Sequence, residues 1–369
     1  MNDTPRRVLI IATPVMGDVL LSTPLMRSAK AAWPEARIDV LTRPGGAAVL
    51  EGNPHVSETI ELHKKPPALK LLAFLLGRFR KYDLVLSNSA SDRALIYCLF
   101  MGKRRVSLVY REHSNMRLKK RLYDHTSLIE YERLHTIEQN LSLLDPLGVE
   151  RHYDVTLPQT ASSEQTLAEV LGADWRSQRF AILHPNSAGP YKRWHKDGWE
   201  RLVAHLDAWG LRILVTGSPS AVDVDYIEAL GLAGAPAESL AGRISLADVA
   251  LLLEQAAVYV GVDTLVTHMA AAAGTPTVAV FGPISPLTWG PWPRGFRGGD
   301  SPWQHVGSQK LNNVTVIQGV KSCVPCGLPG CERRLDSYSE CLDTLSADTV
   351  IAAVDERLES PPPSEPGSA

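Results

Sequence analysis

The sequence contains no apolar run approaching the roughly 18 residues that a membrane-crossing helix needs. It does not open on a signal peptide either: Met1 to Arg7 is polar, and the apolar stretch Val8–Thr13 is only strand-length. The cytoplasm is therefore the expected compartment. No GxGxxG fingerprint and no P-loop spacing occurs, which argues against ordinary NAD binding and ATP hydrolysis. Cysteine is scarce, five residues with four crowded between 323 and 341, so no disulfide framework is spread along the chain. Net charge is nearly absent, −2 overall, but that balance hides an asymmetry. Residues 1–160 hold 23 Lys+Arg against 17 Asp+Glu, and the remainder 15 against 23. The basic first half suggests an anionic partner there, set against the blander reading of solvated faces.

What is present is a repeated α/β pattern. A chain of 369 residues exceeds what one hydrophobic core usually serves, so two domains are expected. Arg7–Ala12 is a β-branched apolar run of the buried parallel-strand type, followed by the loop Thr13–Asp18 and a helix from Val19 to Trp33. Ile38–Leu41 and Leu84–Ser87 continue the series, the latter followed by a helix through Ala94–Met101. From about 150 to 178 the pattern lapses into Pro, Gln, Ser and Thr. A second series then starts with strands at Phe180–Pro185, Arg212–Gly217, Val258–Gly261 and Thr277–Gly282. Two Rossmann-like domains follow, 1–160 and 161–358, with a Pro- and Ser-rich tail at 359–369 expected to be disordered. In such sheets ligands bind beyond the carboxyl ends of the strands, which singles out the loops at 13–18, 184–194, 217–220, 261–265 and 282–290.

Three of those loops carry chemistry. Asp18 follows a strand at or near a helix N-terminus, where it can cap the helix or take a proton from an attacking hydroxyl. Ser187, Lys192 and Arg193 lie in a loop whose backbone amides and cations suit a pyrophosphate, with an exposed turn as the alternative. Asp263 and Thr264 lead from a strand into a helix, which they can cap or from which they can serve sugar hydroxyls and phosphate. His268, a turn inside that apolar helix, reads as a packed, hydrogen-bonded histidine rather than a catalyst.

The segments Met16-Gly17-Asp18-Val19-Leu20, Lys192-Arg193-Trp194 and Asp263-Thr264, with His268 through Pro283, resemble glycosyltransferase family 9, which holds the ADP-heptose:lipopolysaccharide heptosyltransferases. The resemblance spans about residues 6 to 350. It implies a GT-B fold, two Rossmann-like domains facing across a cleft, and an inverting transfer without a catalytic metal. By that resemblance Asp18 is the base, Lys192 with Ser187 serves the donor phosphates, Asp263 the heptose hydroxyls and Thr264 the phosphates. Domain closure would then assemble the site. ADP-heptose and the lipopolysaccharide inner core are the implied substrates. Two departures concern the donor: Pro14 removes an amide, and Leu265 stands where the family usually has glycine.

Between Lys103 and Arg121 eight cations are opposed only by Glu112. Solvated loop is one reading; the other assigns Arg104, Arg105, Lys119 and Lys120 to the anionic acceptor. The Lys64–Lys81 stretch, with leucines and Phe74 between cations, is open to two readings of equal weight, rest on anionic lipid at the inner membrane or packing on the first sheet. No nucleic-acid motif accompanies the charge, so no nucleic-acid partner is expected. Cys323, Cys326, Cys331 and Cys341 form C-x2-C-x4-C-x9-C, which in a reducing compartment reads as a structural zinc or iron knuckle or as a reduced, metal-free loop. Cys98 falls in an apolar helix and reads as core. Competing functions are a related transferase using another sugar nucleotide or a protein or capsule acceptor, and a carbohydrate-binding relative that has lost transfer. An epimerase is disfavoured by the motif blocks.

Overall fold

Continuous β-branched runs cannot leave one face in water, and both sheets of this chain are correspondingly buried. The computed structural model describes residues 4–13, 15–64, 66–110 and 120–359. Pro14, Lys119 and the tail beyond Glu359 lie outside the described residues. The chain divides into two compact units. One runs to Pro158 and includes Arg297–Asp300; the other comprises Gln159–Phe296 and the residues from Ser301 onward.

The first unit holds six parallel strands, β1 (Arg7–Ile11), β2 (Arg37–Thr42), β3 (Glu58–Glu61), β4 (Tyr82–Ser87), β5 (Gly102–Val109) and β6 (His125–Leu128). Their order is β3-β2-β1-β4-β5-β6, the doubly wound Rossmann arrangement. The second unit contains β7 (Phe180–His184), β8 (Arg212–Val215), β9 (Ala237–Ser239), β10 (Val258–Val262), β11 (Thr277–Phe281), β12 (Gln309–Leu311) and β13 (Val314–Gln318). These run β12-β13-β11-β10-β7-β8-β9, so six parallel strands repeat the first topology and β12 adds an antiparallel edge. In each sheet the strand order reverses at one place, between β1 and β4 and between β7 and β10. Crossover helices leave opposite faces there, which opens a crevice at the carboxyl ends.

Three differences from the sequence expectation matter. The helix expected over Val19–Trp33 is two helices, Met16–Leu20 and Thr23–Ala32. Ser22 interrupts it, with Pro24 in the first turn of the second helix, where a missing amide hydrogen is harmless. The stretch from Lys103 to Arg105, open to reading as solvated loop, is the start of β5. Its cations face water while Val106–Val109 are buried, so one strand is polar at one end and core at the other. Glu359, expected in the tail, ends a helix that begins at Ala347.

Candidate active site

At the first switch point, the chain leaves β1 and enters the helix Met16–Leu20, which places Asp18 in its first turn. The carboxylate is 9% exposed, and its Oδ2 accepts the Val15 amide hydrogen at 3.1 Å. The capping role and a functional one are therefore compatible, because one carboxylate has lone pairs for both. The helix is seated by Val19, Leu20 and Leu21, all buried, and by Asn140, whose Nδ2 donates to the Leu21 carbonyl at 3.0 Å. Gly45, in the left-handed region at φ 95°, lets the loop after β2 close on it; a Cβ there would stand 3.1 Å from Met16 Sδ.

Tyr110 and Tyr131 follow β5 and β6 at the same end of the sheet, and their hydroxyls are hydrogen-bonded. Desolvation, Tyr110 and then the negative charge of Asp18 push the Tyr131 hydroxyl well above the usual phenol range. The field of Asp18 thus reaches the carboxyl ends of the far strands. At the carboxyl ends of the strands a cavity of about 230 Å³ is lined by Thr13, Arg43, His63, Lys64, Ser91 and Arg93, with no carboxylate among the described residues of its wall. Arg43 directly follows β2 and Arg93 opens the helix after β4; sequence reasoning passed over both, although each sits just past a strand end.

Arg104 and Arg105 stand elsewhere. They pair with Leu84 and Val85, abreast of Val8 and Leu9 near the amino ends of the sheet. Arg105 is held there by Asp124 at 3.1 Å. Lys120 lies close to the start of β6 and is half-buried.

At the second switch point, β7 ends in the loop that carries Ser187 and a short turn, Pro190–Lys192, while β10 ends at Val262, directly before Asp263. Lys192 Nζ lies 2.6 Å from Asp263 Oδ2, with Asp263 only 8% exposed. Neighbouring Arg193 is not available in the same way, because its guanidinium stacks 3.8 Å above the Tyr226 ring. The Ser187 hydroxyl donates to the Gly189 carbonyl at 2.7 Å and shapes the turn. Thr264 occupies the N-cap position of the helix Leu265–Ala273, but its side chain makes no capping bond. Thr264 Oγ1 instead lies 3.5 Å from Thr267 Oγ1, which leaves first-turn amides without a side-chain cap beside a lysine.

His268 is buried as expected, but its Nδ1 has no hydrogen-bond partner among the described residues. Burial, countered by Asp263 and reinforced by Lys192, lowers its pKa to about 4, so the imidazole is neutral. Asn186, another buried residue that sequence reasoning missed, has an unpartnered Oδ1 in the same loop as Lys192. Gly261 brings β10 past Tyr259, where a Cβ would fall 2.1 Å from the tyrosine hydroxyl. That hydroxyl lies 2.9 Å from Thr267 Oγ1 and fixes the start of the helix.

The arrangement in the second unit suits a diphosphate, and residues 77–301 match the sequence profile described as glycosyltransferase family 9 (heptosyltransferase). The chain belongs to that family. Lys192, Asp263 and Thr264 lie within the matched residues, and Asp18 precedes them. Lipopolysaccharide heptosyltransferase 3 of Escherichia coli (strain K12) is 26% identical over 359 residues, covering 94% of this chain and 97% of that protein. Among solved structures, the glycosyl transferase family 9 protein from Veillonella parvula DSM 2008 superposes with a TM-score of 0.75 at 17% identity, covering 96% and 97%. E. coli heptosyltransferase WaaC with ADP superposes with a TM-score of 0.69 at 22% identity, covering 95% and 99%. These likenesses establish the GT-B class, and family membership makes the chain a glycosyltransferase.

The cysteines lie apart from both switch points in sequence. Cys323, Cys326 and Cys331 are exposed and Cys341 is buried. Burial first, then the charges of Cys326, Cys331 and Cys323, push the Cys341 thiol up to about 11. The four are thus electrostatic neighbours, although among the described residues no three His, Cys, Asp or Glu side chains are drawn together as a metal-holding group. Cys98 is core, with its thiol pushed up to about 12 by burial. No helix among the described residues is long and apolar enough to cross a membrane.

Proposed function

We propose that this transferase moves a heptose from ADP-heptose to the inner core of lipopolysaccharide, with inversion and with Asp18 as the base. The observation that carries the donor half is the Lys192–Asp263 pair at the second switch point, next to a helix start with no side-chain cap. A departing nucleoside diphosphate needs positive charge and amide dipoles; Lys192 and the amides following Thr264 supply both. Asp263 faces sugar hydroxyls as an acceptor, and Ser187 holds the turn that presents Lys192. Inversion further needs a single base for the acceptor hydroxyl, which Asp18 provides in the first unit. Leu265, where glycine is usual, occupies the first helical position and is half-buried, which leaves the amides after it open to the donor.

The acceptor's anionic groups fall to Arg43, His63, Lys64 and Arg93, because that end of the sheet also carries Asp18. Arg104, Arg105, Lys119 and Lys120 then serve more distant parts of a large acceptor. A water-soluble donor and a lipid-linked acceptor meet at the cytoplasmic face of the inner membrane, which is where the protein acts. Transfer in this reading uses no catalytic metal. Cys323, Cys326, Cys331 and Cys341 form a structural zinc or iron knuckle that closes around its ion, four thiolates being a donor set both metals accept.

Transfer from ADP-heptose to heptose-free lipopolysaccharide core by purified protein tests the reading, beside Asp18→Asn, whose amide oxygen can still accept from Val15. Turnover by the wild type and a loss of at least about 100-fold in the variant is expected, in the range of general-base catalysis. A wild type that binds other nucleotide sugars and transfers no heptose would leave the fold intact and end the heptosyl assignment.

A further inference from the structure

The helix Ala68–Leu76 is apolar on two sides, one packed on the first sheet and one exposed. Leu75 is buried, and Leu71 and Phe74 pack on the core of the first unit, Phe74 with its ring 6.4 Å from that of Tyr97. Among the described residues, no element covers the opposite side. Leu69 is 82% exposed, Leu72 50%, Leu76 60% and Phe79 59%, and their spacing of three, four and three residues places them along one stripe. Ile96 and Phe100, on the helix Asp92–Met101, widen the stripe, with Phe100 edge-on to Phe79 at 6.4 Å.

Isolated exposed leucines need no explanation, but six large apolar side chains in one strip do. The rim decides what covers them. No acidic residue occurs between Glu61 and Asp83, a stretch that contains Lys64, Lys65, Lys70, Arg78, Arg80 and Lys81. Arg78 is drawn inward over the Phe74 ring at 4.4 Å. Lys64, Lys70, Arg80 and Lys81 enter no ion pair among the described residues. A second copy of this face would meet like charge with like charge, whereas a flat anionic bilayer supplies both an apolar layer and the missing negative charge.

We infer that the stripe Leu69–Leu72–Leu76–Phe79 with Ile96 and Phe100 is the surface by which the protein lies on an anionic membrane. The helix rests in the interface plane and does not span it, and the cations reach the headgroups while the leucines enter the acyl boundary. The same helix that carries Ile96 and Phe100 lines the cationic cavity through Arg93 and Ala94, so docking brings that cavity to the lipid. The inference deepens the lipid-acceptor reading above, but its test does not depend on turnover.

The full-length protein is sedimented with vesicles of phosphatidylcholine, with and without phosphatidylglycerol, at low and high salt. The wild type is expected to bind the anionic vesicles, to release with salt, and to ignore the neutral ones. Leu69→Glu with Leu76→Glu should lower binding at least about tenfold, and Lys70→Gln or Arg80→Gln about fivefold each. All three variants should melt as the wild type does and transfer normally to a water-soluble core oligosaccharide. Wild type that ignores anionic vesicles, or a leucine double variant that binds them undiminished, overturns the inference. So does a wild-type dimer that the double variant dissociates, since the face would then belong to a second copy. Failure here with transfer intact leaves the heptosyl reading standing; the reverse leaves the membrane surface standing.

Discussion

Removing the ammonium of Lys192 and removing the charge of Asp263 should have opposite consequences for the bare nucleotide. The two neutralise one another at 2.6 Å. Lys192→Ala deletes a charge-assisted hydrogen bond to the diphosphate, worth about 1.5–3 kcal/mol, so ADP should bind roughly 10- to 100-fold more weakly. Its affinity should also lose part of its salt dependence. Asp263→Asn removes a negative charge from beside the phosphates, so ADP should bind within about threefold of wild type or more tightly. Transfer from ADP-heptose should nevertheless fall by at least about tenfold in that variant, because a carboxylate–hydroxyl bond is replaced by a weaker amide one. Lys192→Ala also leaves Asp263 alone in a site only 8% exposed, so a drop in melting temperature accompanies it. Calorimetric titration with ADP at 25 °C, well below that transition, separates affinity from stability. Equal ADP affinity in Lys192→Ala and wild type would refute the placement of this lysine on the phosphates.

Stability against pH follows from two buried imidazoles. His184, 2.8 Å from Thr216 Oγ1, and His268 both have pKa values lowered to about 4, chiefly by burial. The unfolded chain gains protons below its ordinary histidine pKa while the folded chain does not, so stability is full above about pH 6.5 and falls on the way to pH 4. Each should contribute about 2 kcal/mol to the loss between pH 7 and pH 5, read by urea unfolding, and His268→Asn should remove one such share. An unchanged pH dependence in that variant would count against the burial argument. Metal analysis of the purified protein should find about one equivalent of zinc or iron, lost with a lowered melting temperature in Cys323→Ser. A metal-free wild type whose melting is indifferent to chelator and to that substitution would show the loop to be an ordinary reduced one.

How much the sequence disclosed depended on burial. β1, β7, β10 and β11 were legible because a strand covered on both faces must be apolar throughout, and their runs are. β3, Glu-Thr-Ile-Glu, and β9, Ala-Glu-Ser, stand at sheet edges, where one partner and partial exposure relax that demand until no periodicity survives. β13 is different: Val-Thr-Val-Ile-Gln is fully buried and β-branched, and the signal was present but passed over.

The α/β repetition, the family resemblance and the positions of Asp18, Lys192 and Asp263 in loops that follow strands were legible without a structure, since those are local patterns of chain and side-chain type. The tertiary fold selects which of two adjacent cations pairs with Asp263, because Tyr226, 33 residues away in the chain, takes Arg193 and leaves Lys192 to Asp263. It likewise parted the cations of the first unit, with Arg104 and Arg105 near the amino ends of the sheet and Arg43 and Arg93 near the carboxyl ends. Which end a charge occupies depends on strand register, and register is fixed by packing between segments distant in sequence.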